Sequence, residues 1–180
     1  MLIQVLYIIN SMFSTLDTRK TDDLFMVRKG WFSHEHELTD KIYSYGKITY
    51  HRLSMCKATA VTATDTWIFK REGIFSRTLL ITGQDMVTIG RATQALFSSK
   101  IVLTLQTGFS AEFSRPSIWS RVGVWNSTGY GEIMHIKSNP FCLTDFVHIG
   151  QSKAPANLIP LLIFFGSFLT VLRRRRQAAH

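Results

Sequence analysis

From Leu158 to Leu172 the chain carries no charged residue, and it then runs straight into Arg173, Arg174, Arg175 and Arg176. Pro155 and Pro160 stand near the start of this segment, where a helix tolerates proline. Leucine, isoleucine and phenylalanine recur on every side of the helix they predict, from about Asn157 to Arg174. A helix apolar all round has to be buried, either in lipid or inside protein. Those two options constrain the rest of the chain more than any other feature. The run of about 15 residues extends roughly 22 Å as a helix, short of the ~30 Å hydrocarbon core of a bilayer. If it spans a membrane, the four arginines are its cytoplasmic stop, and everything before it lies outside. That arrangement needs export, and the apolar stretch Met1–Leu16 has neither a basic start nor a convincing small-residue cleavage site. A tail-anchored orientation puts the arginines on the wrong side. If the helix is a protein core, the short length and the weak leader are both accounted for. Gly166 and Ser167 permit close packing in either case.

The segment from Tyr43 to Ile149 reads as strand after strand. Thr59, Val61 and Ala63 alternate against Ala58, Ala60 and Thr62, and Phe109 to Phe113 alternates strictly. Glu72-Gly73, Gly83-Gln84-Asp85, Thr107-Gly108 and Asn126–Gly129 punctuate the pattern at intervals of roughly 8 to 12 residues, as in antiparallel meanders. The expectation is a mainly β fold: a strongly curved antiparallel sheet or closed barrel of about 8–11 strands. The C-terminal hydrophobic helix sits in the barrel core, or alternatively crosses a membrane. Arg91–Ser98 is the one stretch that reads as a helical turn. The expected organisation is a leader over 1–25, a β-rich domain over 26–153, the helix with its arginine stop over 154–176, and a tail over 177–180.

The chemistry-bearing residues are sparse. His34-Glu35-His36-Glu37 is the only cluster of metal-ligand types; on a strand, 34 and 36 share a face, but nothing repeats the spacing to complete a site. An exposed polar loop is the expectation there, and a metal-dependent enzyme using His34 and His36 the alternative. His51, His135 and His148 read as isolated. Cys56 and Cys142 lack metal-ligand spacing and read as two small buried residues. No nucleophile elbow, zinc-protease motif or phosphate-cradling glycine loop occurs. The strand aromatics Trp67, Phe69, Phe75, Phe109, Phe113, Trp119 and Trp125 read as core rather than as a ligand surface. Net charge is +9, four of it in the arginine run and the rest spread thinly. A basic cluster beside an apolar segment suits an anionic membrane surface better than nucleic acid, for which no basic helix or finger is present.

Gly73–Ile81, Val87-Thr88-Ile89-Gly90, Phe97–Leu103 and Thr107–Phe113 followed by Trp119 resemble LURP-one and scramblase-like proteins of the tubby C-terminal-like superfamily. The resemblance covers roughly Tyr43 to Leu172 and rests on strands and turns rather than a signature. It implies a barrel of about twelve strands around a hydrophobic C-terminal helix, and a family in which some members bind phosphoinositides or associate with membranes. No lipid-binding motif can be carried over residue by residue. The expected function is therefore a non-catalytic binding or structural module without cofactor, cytoplasmic or membrane-associated. Its expected partner is anionic membrane lipid, contacted through Arg173, Arg174, Arg175 and Arg176. The alternative is a small single-pass membrane protein with a β ectodomain and a cytoplasmic C-terminus.

Overall fold

A computed structural model describes residues 12–30, 33–51, 56–73, 76–94, 99–117, 120–139 and 143–178. Twelve strands follow one another: β1 (Asp23–Arg28), β2 (Glu35–Thr39), β3 (Ser44–Tyr50), β4 (Lys57–Thr62), β5 (Thr66–Arg71), β6 (Thr78–Thr82), β7 (Thr88–Gln94), β8 (Ile101–Leu105), β9 (Ser110–Ser114), β10 (Val122–Ser127), β11 (Gly131–Lys137) and β12 (Thr144–Ile149). Each pairs antiparallel with its sequence neighbours, and β1 pairs with β12 to close the barrel. The seam is in register, Phe25 opposite Phe146, and is extended at its ends by Arg28 N–H to Leu143 O and Ile149 N–H to Asp22 O, both 2.7 Å. A 3-10 turn (Ala156–Leu158) then leads into the helix α1 (Ile159–Ala178).

Ten of these strands lie between Ser44 and Ile149, within the expected range, and β1 and β2 precede them. The polar stretch before residue 26 is thus not all leader: β1 begins at Asp23 and supplies the closing strand. Two further readings change. Arg91 to Gln94 belongs to β7 instead of a helical turn, with Ala92 fully buried; residues 95–98 lie outside the described residues. His36 sits on β2, not in an exposed loop.

The strands obey period two. In β4, Ala58, Ala60 and Thr62 face in; in β5, Trp67 and Phe69 do. Local side chains fix several turns. Asp40 Oδ1 accepts the N–H groups of Ile42 at 2.8 Å and Tyr43 at 2.7 Å, between β2 and β3. Thr62 Oγ1 accepts Asp65 N–H at 3.0 Å, between β4 and β5.

Eight strands make a barrel that side chains alone can fill, whereas sixteen or more leave an open channel. Twelve leave a lumen wide enough for a helix, and α1 occupies it. Every residue from Leu161 to Thr170 is buried. The segment Ala156–Gln177 is long and apolar enough to cross a membrane, with mean hydropathy 1.7, but 67% of its most apolar stretch is buried inside the protein. The inward aromatics expected as core are core: Phe69 packs on Phe165 at 5.2 Å and Phe168 at 5.5 Å, Trp67 on Phe164 at 6.4 Å, and Trp125 on Phe165 at 6.2 Å between ring centroids. Phe75 and Trp119 lie outside the described residues.

The helix is held at a defined depth. The Trp125 indole N–H donates to the Leu162 carbonyl at 2.9 Å, in a fully buried environment. One turn on, Gly166 leaves the room that the indole needs: a Cβ there would stand 2.7 Å from Trp125 Nε1 and 2.5 Å from Ile136 Cδ1. Across the barrel, Gly46, at φ +154°, lets β3 pass close to Phe164.

Two outcomes follow for stability. Truncation after Ala154 removes buried Ile159, Leu161, Leu162, Ile163, Phe164, Phe165, Phe168, Leu169 and Leu172. At roughly 1.5–3 kcal/mol each, about 14–27 kcal/mol in all, that matches or exceeds the top of the ~5–15 kcal/mol margin of a domain, so the truncated chain is expected to aggregate. Recovery of a soluble truncated protein with a cooperative melt would contradict the internal helix. Gly166→Ala raises helix propensity by about 1 kcal/mol but forces Trp125 and Ile136 apart, which costs about 1–3 kcal/mol, more where the indole bond breaks. Urea denaturation should show a net loss; a gain would mean the contact is loose.

Candidate functional site

Antiparallel alternation sends the strand ends to two rims. The rim where α1 ends carries Arg28, Lys57, Lys70, Arg71, Arg77, Lys100, Arg115, Arg121 and Lys137 from the ends or starts of successive strands. The opposite rim carries Asp22, Asp23, Asp40, Asp65, Asp85 and Glu132. Among the described residues, Arg19, Lys20, Lys41 and Lys153 oppose that segregation on the acidic rim and Glu35, Glu72 and Asp145 on the basic one, each of these three paired with a Lys or Arg, while Lys47 and Arg91 sit along the barrel wall. The positive charge is therefore not spread thinly, as the linear sequence suggests. The barrel gathers it at one mouth.

The arginine run ends the helix inside that mouth. At 100° per residue, Arg173 and Arg176 fall on one side of α1 and Arg174 and Arg175 on the other. Each pair lines its own cavity.

The first cavity, about 190 Å³, is bounded by Arg28, His34, His36, Tyr50, Asp145, Arg174 and Arg175, among others. Asp145 is its anchor. Its side chain is 6% exposed and accepts from Arg174 Nη2 at 2.8 Å and from the Asn139 backbone N–H at 3.1 Å. The Arg175 guanidinium lies over the Tyr50 ring, 5.5 Å from its centroid. Tyr50 stacks on Phe168 at 6.5 Å and meets His36 edge-on at 5.2 Å. Burial, then the charges of Arg28, Arg174 and Arg175, push the His36 pKa down to about 4, so the ring is neutral at pH 7. Burial, then the Asp145 carboxylate, holds the Tyr50 phenol above its ordinary pKa. The Tyr50 hydroxyl is buried with no hydrogen-bond partner among the described residues.

The second cavity is smaller, about 50 Å³, and its polar wall is made of Arg71, Arg77, Arg115, Arg173 and Arg176 with Ser76, Gln94 and Ser99. Leu79, Ile101, Phe113, Leu169 and Leu172 form its apolar floor. No carboxylate is among the described residues that line it. Arg115 Nη1 donates to Ser120 O at 3.3 Å, while its Nε is buried without a partner among the described residues. Burial, then Arg173 and Arg174, lower the Arg115 pKa; burial, then Arg176, lower that of Arg173. Both shifts report guanidinium groups held close together with incomplete solvation.

Of the residues singled out from sequence, the structure brings all four terminal arginines to the mouth and sets His34 and His36 along one cavity. No group of three or more His, Cys, Asp or Glu poised for a metal occurs among the described residues. The only carboxylate among the described residues of that cavity, Asp145, is already engaged by Arg174. His135 and His148 are not isolated; they are cross-strand neighbours, 2.6 Å from Glu132 and Asp23 respectively. Cys56 is a half-buried free thiol, and Cys142 lies outside the described residues. Sequence reading missed Arg28, Arg71, Arg77, Arg115, Tyr50 and Asp145. The signal was the recurrence of a basic residue at every second strand joint, which only becomes spatial once the meander is closed. Comparison with family models, curated proteins and solved structures finds no match to this chain.

The neutral His36 has a testable consequence. Between its unfolded pKa of about 6.5 and its folded value of about 4, the unfolded chain binds a proton that the folded protein excludes. Stability is unaffected by this group above about pH 6.5 and falls as pH drops through that window, by on the order of 3 kcal/mol in all. Urea midpoints measured from pH 7 to pH 4 should decline more steeply for the native protein than for His36→Gln. Parallel curves would place His36 in water.

Proposed function

We propose that this protein is a non-catalytic β-barrel module that docks its basic mouth on anionic membrane lipid, with α1 remaining inside the barrel. The observation that carries the reading is the segregation of charge: a basic rim encircling the end of α1, with an acidic rim at the far end of the barrel. Such a molecule is an electrostatic dipole. Near an anionic surface, each Lys or Arg contributes about 1 kcal/mol, and the acidic end is turned away. The +9 net charge adds a long-range attraction that is screened over about 8 Å at physiological salt.

The resemblance to LURP-one and scramblase-like proteins supports the same reading. A closed barrel around an apolar C-terminal helix is the architecture which that resemblance implies. That likeness of architecture supports reading the chain as a tubby-like domain. The arginines then act as a surface contact instead of a stop signal, because the helix they terminate already has its apolar partners.

Co-sedimentation with vesicles tests this. The full chain is expected to bind phosphatidylserine-containing vesicles, to ignore phosphatidylcholine alone, and to be released by raised salt and by carbonate. Lys57→Glu with Lys137→Glu, both on the rim and outside the cavities, should weaken binding by about tenfold or more. Carbonate-resistant binding would favour the membrane-spanning alternative. Equal binding to neutral vesicles, or none to anionic ones, would overturn the docking reading, and tight salt-sensitive binding of arbitrary duplex DNA instead would replace it.

A further inference from the structure

Of the two cavities at the basic mouth, the first has its guanidinium groups engaged by its own walls, Arg28 Nε donating to Ser33 O at 2.9 Å. Asp145 occupies Arg174, and Arg175 is spread on Tyr50. The larger hollows elsewhere on the barrel converge no comparable set of charges. One borders Thr107–Ser110 and Ser127–Tyr130 and is lined by no ionisable side chain but Tyr130; the other, beside Asp22, mixes Arg19 and Lys153 with that carboxylate. The second cavity differs from all of them. Guanidinium groups from β5, from the approach to β6, from the end of β9 and from α1 meet over an apolar floor, with no carboxylate among the described lining residues.

We propose that this cavity is a specific site for a single phosphate group carrying two negative charges, either free phosphate or the phosphomonoester of a lipid headgroup. The inference rests on the membrane-docking reading only for its lipid arm. Three observations carry it. First, Arg71, Arg77, Arg115, Arg173 and Arg176 come from four separate parts of the chain, so their convergence is built by the fold and is not one run of charge. Second, Arg115 Nε is buried and lacks a partner among the described residues, a donor in need of an acceptor. Third, about 10–15 Å³ of such space admits one water, so the cavity's volume of about 50 Å³ suits a tetrahedral oxyanion and excludes a bulky ligand.

The chemistry selects the charge state. Guanidinium forks bind phosphate oxygens in pairs, and each charge-assisted bond is shorter and about twice as strong as a neutral one. A monoester offers three free oxygens and close to two charges at pH 7, against two oxygens and one charge for a diester. Ser76 at the rim of the cavity supplies a hydroxyl that can accept from a guanidinium or donate to the anion. An unfilled cluster of arginines repels itself, so the occupied site should be the more stable one.

Calorimetric titration of the full chain with inorganic phosphate, paired with thermal melts, tests the site. Phosphate should bind and raise Tm, and Arg173→Gln with Arg176→Gln should weaken binding by about tenfold or more per guanidinium. The same double variant should melt no lower than the native protein without phosphate, because it removes repulsion. If it melts lower, Arg77→Gln, just ahead of β6, gives the same readout from outside the helix. Lys153→Gln, at the opposite rim, should leave phosphate affinity unchanged. Vesicles separate the two sources. Stronger binding to phosphatidic acid than to phosphatidylserine at matched charge, competed by free phosphate, assigns a lipid monoester. Phosphate binding without that preference assigns a soluble phosphate. Absence of phosphate binding in the native protein, or equal affinity in the Arg173/Arg176 double and Arg77→Gln variants, overturns the site. Retained binding to phosphatidylserine vesicles would then leave the docking reading standing on its own.

Discussion

A closed sheet of twelve strands has an interior that side chains cannot fill by themselves, and the fold depends on how that space is occupied. The answer is local in sequence and global in effect. Residues after Pro155 form one helix with no polar face until Arg173, and the strands supply matching inward rows: Ala58 and Ala60 where α1 approaches β4, Trp67 and Phe69 on β5, Trp125 on β10. Neither part is stable without the other. The barrel without the helix is a shell around a void, and the helix without the barrel is an insoluble segment. Because the strands meet only their sequence neighbours apart from the β1–β12 seam, the helix is what ties distant parts of the wall together, packing closest on β4 and β5 and on β10 and β11.

Depth follows from the same packing. The Trp125 bond to the Leu162 carbonyl and the missing side chain at Gly166 prevent the helix from sliding by a turn. A shift of one turn would move Arg173 into the apolar lumen or lift Leu172 out of it. The core thus sets the height at which the arginines emerge, and the roughly 100° step of the helix divides them between two cavities. Their position at the helix C-terminus is also favourable in itself, since the last carbonyls carry partial negative charge. Asp145, reached from the start of β12, fixes one of the four.

Much of this was legible from the sequence. Period-two alternation and regular glycine joints predicted the meander, and the all-round apolar helix required an enclosing partner. Two pieces were less visible. β1 and β2 carry charged residues such as Arg28, Glu35 and Glu37 at positions that broke the pattern, and the polar stretch ahead of them read as leader. Inside the barrel, His36 looked like loop chemistry because its neighbours are glutamates; on β2 these two face partners Lys29 and Lys47 while the imidazole turns inward. The arginine cavity was invisible for a different reason. Arg71, Arg77 and Arg115 are each unexceptional in their own turns, and their convergence depends on closure, which periodicity does not encode.

Closure and charge therefore work against each other. Folding draws Arg115 and Arg173 out of water and towards like charge, and both are held below their ordinary pKa range as a result. A chain selected only for stability would place glutamate in such a ring, as it does beside Lys47 and Lys100 elsewhere on the barrel. Here Asp145, whose charge reaches Arg115, serves the neighbouring cavity, and Glu72 beside Arg71 pairs with Arg91. Repulsion tolerated at one spot, on a scaffold that neutralises its charges elsewhere, is the pattern of a site awaiting an anion. The apolar helix supplies the surplus of burial that lets the barrel carry it.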